Sequence, residues 1–282
     1  MAADGDALLA GTIANPRLWR LGMLLDMEAR TLTVAATSTV GEEAVLCRTI
    51  RLAEGVTPLR ALEDAVYDNP MLLADFDRTT VLLRTPRFAI VPAEIASDTD
   101  ALADVASLLH TSPDDADERW IAARADGTGA VVAAACDPAI AAFLSRTFAD
   151  ARVRHALVPE ISYFAAKAPH SGNAPKLFAV AGAGCADFMA FDGAHFLGAT
   201  SYACADAADM AYYAAALAQT CGIASPHLRF YVAGEPAGRD ALVAALRGFA
   251  PCVMPWVFPS GMLADGVDLS TPFPLVILPL CE

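Results

Sequence analysis

Residues 176–204 read KLFAVAGAGCADFMAFDGAHFLGATSYAC, and the order of elements they announce decides the fold. Lys176–Ala183 is an apolar run suited to a strand, and Ala186–Phe191 follows after a turn holding Gly182 and Gly184. Asp192-Gly193 is a two-residue hairpin signal, since glycine adopts the positive φ such a turn demands. Ala194–Cys204 is therefore expected to return as a third antiparallel strand. From there helix and strand alternate. Asp206 is placed to cap a helix whose Met210, Tyr213 and Leu217 recur at helical spacing and whose end falls at Gly222. Leu228–Ala233 predicts a strand, Gly234-Glu235-Pro236 leads into a helix through Arg247, and Cys252–Trp256 predicts a last strand.

The first half follows the same order. Leu18–Met27, Thr31–Ser38 and Ala44–Leu52 predict three strands, and Thr57-Pro58 opens a helix with Leu59, Leu62 and Val66 on its buried stripe. Thr79–Arg84 and Phe88–Val91 predict shorter strands, and Asp98 or Asp100 is expected to cap a helix through His110. Trp120–Ala125 and Ala130–Cys136 form a hairpin around Asp126-Gly127-Thr128-Gly129. Asp137-Pro138 starts a helix through Phe148, Val153–Val158 predicts a strand, and Ser162–Ala168 predicts a short helix. Pro169-His170-Ser171-Gly172-Asn173 is the best linker by its cluster of turn residues. Three meandering strands followed by alternation predict an α/β protein with mixed sheets covered by helices. The expected lobes are residues 1–169, with an inserted subdomain, and residues 170–282.

Bulk properties exclude several classes. Of 282 residues 56% are hydrophobic and 18% charged, which is the composition of a chain that buries a core. The net charge of −14 disfavours nucleic acid and acidic membrane surfaces, because phosphate binding needs clustered Lys and Arg. The longest apolar helical stretch, Ala207–Ala224, is mostly alanine and carries Asp209 and Gln219, so no membrane span is expected. Seven cysteines without a CxxC pair, and no basic segment leading into an apolar core at the amino terminus, point to a reducing cytoplasm.

Several short motifs resemble those of a bacterial domain-of-unknown-function family, number 3822. They are Asp64-Ala65-Val66-Tyr67-Asp68-Asn69-Pro70, Thr85–Glu94 (TPRFAIVPAE), Phe191-Asp192-Gly193 and Val232-Ala233-Gly234-Glu235. The terminal Pro272-Phe273-Pro274-Leu275 and Leu280-Cys281-Glu282 are similar as well. The resemblance implies a duplicated ribonuclease-H-like, actin-like ATPase fold, with two halves around a cleft. It implies no activity, since none is established for the family.

Such a fold, where it binds ATP, grips the phosphates with glycine-rich turns between the first two strands of each half, with acidic residues holding Mg2+ through water. The turn of the first half, Leu25–Arg30, offers two carboxylates, Asp26 and Glu28, but no glycine. The turn of the second half offers Gly182 and Gly184, with Asp187 beyond them, but lacks the acidic residue that actin-like enzymes place at the start of the turn, and the nucleoside-contacting turn at Gly234 has only that one glycine. Asp26, Gly182, Gly184, Asp187 and Gly234 are thus the residues expected to contact ATP with Mg2+ if nucleotide binds. Because each loop is half-formed, the leading expectation is a protein without a nucleotide cofactor. It would be a non-catalytic scaffold or assembly protein that acts on a protein partner; the alternative is a working actin-like ATPase or ATP-dependent switch.

Other chemistries are poorly supported. Asp187 stands where a dinucleotide fingerprint needs its third glycine, and a strand rather than a helix follows. No Gly-x-Ser-x-Gly elbow is present, and the histidines lack metal-ligand spacing. Cys185 and His195 lie on adjoining strands and form the one Cys–His pairing a hairpin could assemble, with packing the favoured role for both. The run Pro251–Cys281 carries Trp256, Phe258, Met262, Phe273, Leu275, Val276, Ile277 and Leu280 in a Pro-rich frame. It is expected to wrap over the core, with a protein interface as the alternative.

Overall fold

The computed structural model describes residues 13–40, 46–97, 102, 104–105, 108, 118–148, 150–223, 228–258 and 271–281. These fall into two compact units. One is built from the described residues as far as Ala123 together with Val131–Ala156, the other from Arg124–Ala130 and the described residues from Leu157 onward.

In the first unit β1 (Trp19–Asp26), β2 (Thr31–Ser38) and β3 (Leu46–Arg51) form an antiparallel meander. Asp26 closes the β1–β2 turn: its Oδ1 accepts the Ala29 N–H at 2.8 Å, and Arg30 takes a left-handed φ of +50°. Helix α1 (Pro58–Tyr67) starts where the Thr57 hydroxyl accepts the Arg60 N–H at 3.3 Å, with Pro58 at a position that needs no donor. It leads to β4 (Arg78–Arg84), which lies parallel to β1. Strand β5 (Phe88–Pro92) and the short α2 (Ala93–Ala96) come next, followed by β6 (Arg119–Ala125) and β7 (Ala130–Cys136). These three strands form a separate sheet of order β5-β7-β6. Helix α3 (Pro138–Thr147) packs on α1, and β8 (Arg152–His155) joins β4 in parallel. The main sheet has the order β3-β2-β1-β4-β8, and Met23, Leu25 and Val34 pack with Leu62, Val66 and Phe143 of the helices in its core. The helix expected from Asp98 or Asp100 to His110 falls almost wholly outside the described residues.

The second unit opens with α4 (Leu157–Lys167), then β9 (Lys176–Gly182), β10 (Cys185–Asp192) and β11 (His195–Ala203) as an antiparallel meander. Helix α5 (Ala207–Thr220) is capped by Asp206, whose Oδ1 accepts the Ala208 and Asp209 N–H groups at 2.8 and 3.0 Å, and Gly222 beyond it has a φ of +68°. Strand β12 (Arg229–Gly234), α6 (Pro236–Leu246), β13 (Cys252–Pro255) and α7 (Phe273–Ile277) complete it. The sheet order β11-β10-β9-β12-β13 matches that of the first unit strand for strand, with the same pattern of directions.

Two expectations change. The strand expected over Val153–Val158 stops at His155, and Leu157 begins α4, which absorbs the short helix expected at Ser162–Ala168. Leu157–Ile161 and Tyr163–Ala165 are all buried, so α4 has no polar stripe to betray its period. Pro159 sits in its first turn, where a missing N–H costs nothing. The expected linker begins as the 3-10 turn Ala168–Ser171, and the fully buried Lys176 donates from Nζ to Ala168 O at 2.8 Å and to Gly172 O. The described part of the Pro-rich run folds onto the second unit's core. Phe273 stacks on Phe164 with centroids 5.5 Å apart, and Trp256 meets Tyr163 edge-on at 6.0 Å. Met262 lies outside the described residues.

Candidate functional site

In open α/β sheets ligands bind outside the carboxyl ends of the parallel strands. In the second unit they are the ends of β9 and β12. Gly234 pairs with Ala181, and the Glu235 N–H donates to Ala181 O at 3.0 Å. Gly234 has a φ of +104°, and a Cβ there would stand 2.0 Å from the Ala181 carbonyl oxygen, so only glycine fits. Gly182 pairs with Cys185, which leaves Ala183-Gly184 as a two-residue turn with Gly184 at φ +75°. The fold therefore gathers Gly182, Gly184 and Gly234 at one end of this sheet. Asp187 is deeper, opposite Val180 and Ser201, with 2% of its surface exposed and its carboxylate accepting the Ser201 hydroxyl. Glu235 stands at the amino end of α6, and burial pushes its carboxyl above the usual value.

In the first unit Asp26 ends β1, with its carboxylate bonded to the turn that follows. A pocket of about 240 Å³ lies beside it, at the carboxyl ends of β1 and β4. Leu25, Met27, Pro58, Leu83, Pro86 and Ile140 wall it, and Glu28, Arg84, Arg87, Glu118 and Asp137 supply its polar groups. Arg87 Nη2 and the Glu118 carboxylate are 2.6 Å apart and both largely buried. Asp137 is committed to capping α3, accepting the Ala139 and Ile140 N–H groups at 2.7 and 3.1 Å. The Cys136 thiol in the wall is pushed up to about 11, by burial first and then by the charges of Asp137 and Glu118. A thiol so protonated is a packing group, not a nucleophile. Sequence reading did not single out Arg84, Arg87 or Glu118, because no local motif joins them; the chain brings Glu118 to Arg87 from 31 residues away.

The Cys185–His195 pairing does not form. Cys185 lies opposite Ala203, whereas His195 lies opposite Asp192, seven residues further along β10. At about 3.3 Å per residue the two are roughly 23 Å apart. Among the described residues no cluster of three or more His, Cys, Asp or Glu side chains could hold a metal ion, and no helix is long and apolar enough to cross a membrane.

The family model for proteins of unknown function DUF3822 matches residues 20–253. The chain belongs to this DUF3822 family. A Bacteroides thetaiotaomicron protein with an actin-like ATPase fold and unknown function is similar over 96% of this chain and 99% of its own, with a TM-score of 0.76 at 16% identity. A chain of a PilM–PilN type IV pilus biogenesis complex is similar over 95% of this chain and all of its own, with a TM-score of 0.55 at 13% identity. No curated protein matches in sequence. At such identities the likeness is one of fold, and the fold of this DUF3822 protein is actin-like, α/β with mixed sheets.

Proposed function

We propose that this DUF3822 protein is a non-catalytic, actin-like binding protein, a scaffold or assembly factor that engages a protein partner in the cytoplasm and has lost nucleotide hydrolysis. The two sheets of identical strand order support reading it as two ribonuclease-H-like copies with degenerate nucleotide loops. The observation that carries the proposal is the β1–β2 turn. It has no glycine, and its Ala29 N–H is consumed by Asp26, whereas a phosphate cradle requires glycine backbone with N–H groups directed at the anion. The adjoining pocket is walled by aliphatic side chains and proline, and Arg87 is already matched by Glu118, which suits an apolar group better than a triphosphate. A neighbour of the same fold belongs to a PilM–PilN complex, which fits action through protein contact. Phosphate release from Mg-ATP by the purified chain is predicted to stay at the background rate. Turnover abolished by Asp26→Ala would contradict the proposal.

One observation favours a second reading, an ATP-binding switch. Gly182, Gly184 and Gly234 lie together at the carboxyl ends of β9 and β12, where a nucleotide could approach the backbone closely. In that reading Gly182, Gly184 and Gly234 contact ATP, while Asp187, held by the Ser201 hydroxyl, stays in the sheet behind them.

A further inference from the structure

Strand β11 is one of the two edges of the second unit's sheet, and its length and composition set it apart from every other described sheet edge. An edge strand offers unpaired backbone N–H and C=O groups, and proteins guard such rows with charge, proline or shortness. Edge strand β3 carries Arg48 and Arg51, β8 is four residues long with Arg152 and Arg154, and β13 is four residues long and ends in Pro255. In the small sheet β5 ends in Pro92 and β6 carries Arg119 and Arg124. Strand β11 reads HFLGATSYA, nine residues with no Lys, Arg, Asp, Glu or Pro. A bulge where Phe191 meets Phe196 ends its regular stretch, which leaves Gly198–Ala203 as an even ladder on β10.

The ladder fixes which groups face outward. The Cys204 N–H donates to Gly184 O at 3.0 Å, so in antiparallel alternation Tyr202, Thr200 and Gly198 bond toward β10. Ala199, Ser201 and Ala203 then turn their backbone groups away from it, and among the described residues no backbone partner meets them.

We infer that β11 is a self-association edge, which pairs antiparallel with the β11 of a second copy of this chain about a two-fold axis at Ser201. This register uses every outward group: Ala199 faces Ala203 of the copy, Ser201 faces Ser201, and three residue pairs exchange six N–H···O bonds. Thr200 falls opposite Tyr202 on both sides of the axis, a β-branched residue against an aromatic, and Tyr202 is already held by stacking on Tyr213 at 4.0 Å. Like residues meet like without conflict, because the stretch holds no charge. A second copy also accounts for an edge left unguarded while its counterparts are not: two chains of net charge −14 repel overall, and an uncharged edge adds no local repulsion to that. The inference is independent of nucleotide binding.

Sedimentation velocity on the full chain tests it, together with amide exchange read as a function of protein concentration. A dimer is expected at about 100 µM, with a population that grows as salt screens the repulsion. Exchange at Ala199, Ser201 and Ala203 is expected to slow about tenfold or more from dilute to concentrated protein. Thr200→Lys, which places charges beside the axis, and Ala203→Pro, which deletes an outward N–H, should each give a monomer that melts like wild-type protein at high dilution, where the dimer is dissociated. A wild-type monomer at high salt would overturn the inference. So would a dimer in which those three amides exchange at the same rate at all concentrations.

Discussion

The backbone of Gly234 passes so close to Ala181 that any Cβ at position 234 would sit 2.0 Å from the Ala181 carbonyl oxygen. This contact sets the spacing of β12 and β9 where the candidate nucleotide turns meet, and Glu235 N–H extends it with a bond to the same oxygen at 3.0 Å. Gly234→Ala must both strain a φ of +104° and displace backbone. It is predicted to destabilise the second unit by about 3 kcal/mol or more, measured by urea unfolding. A wild-type midpoint would show that the contact is not what holds the turn.

Phe273 is a second point of dependence. It is buried and packs against Phe164, Tyr163 and Phe258, with ring centroids 5.5 to 5.9 Å apart. Phe273→Ala should cost about 3–4 kcal/mol in thermal or chemical unfolding. A chain cut after Ser270, which removes the wholly buried α7, should be insoluble. A soluble, cooperatively folding product would instead make this segment an interface.

Alkaline pH should weaken the fold. Burial raises both Cys136 and Cys204 from 9.0 to about 11, with Asp137 and Asp209 respectively adding to the shift. The fold favours the protonated thiols, so their contribution is fully present below pH 9 and is lost as pH rises through 11. Lys176 works in the opposite sense, since burial lowers it from 10.5. Comparing wild type with Cys136→Ala/Cys204→Ala isolates the thiols: stability of the double variant should fall less steeply between pH 9 and 11. Equal slopes would contradict the assignment.

The Arg87–Glu118 pair in the first unit's pocket should show a coupling of about 1 kcal/mol in a double-mutant cycle with Arg87→Met and Glu118→Gln. Strict additivity would mean that the ion pair does not organise the pocket.

The strands were the most legible part of the sequence. Thr31–Ser38 and Ala130–Cys136 form with the expected bounds because turn residues flank β-branched or apolar runs. Asp206 and Gly222 mark α5 because caps act locally. The start of α4 is not legible, since a helix buried on nearly all sides loses its period and Leu157-Val158 reads as a continuation of β8. The Cys185–His195 pairing failed on register, which an adjoining-strand argument does not supply. The pocket was invisible for a related reason: it is assembled from the ends of β1, β4 and β7, four connecting segments and the first turns of α1 and α3, and no spacing along the chain encodes that convergence.

The central claim is that the nucleotide loops no longer bind, and isothermal titration of the full chain with Mg-ATP and Mg-ADP tests it most directly. The account predicts no saturable heat with either nucleotide at millimolar concentration. Micromolar binding of either one, abolished by Gly184→Val in a variant that melts like wild type, would contradict it.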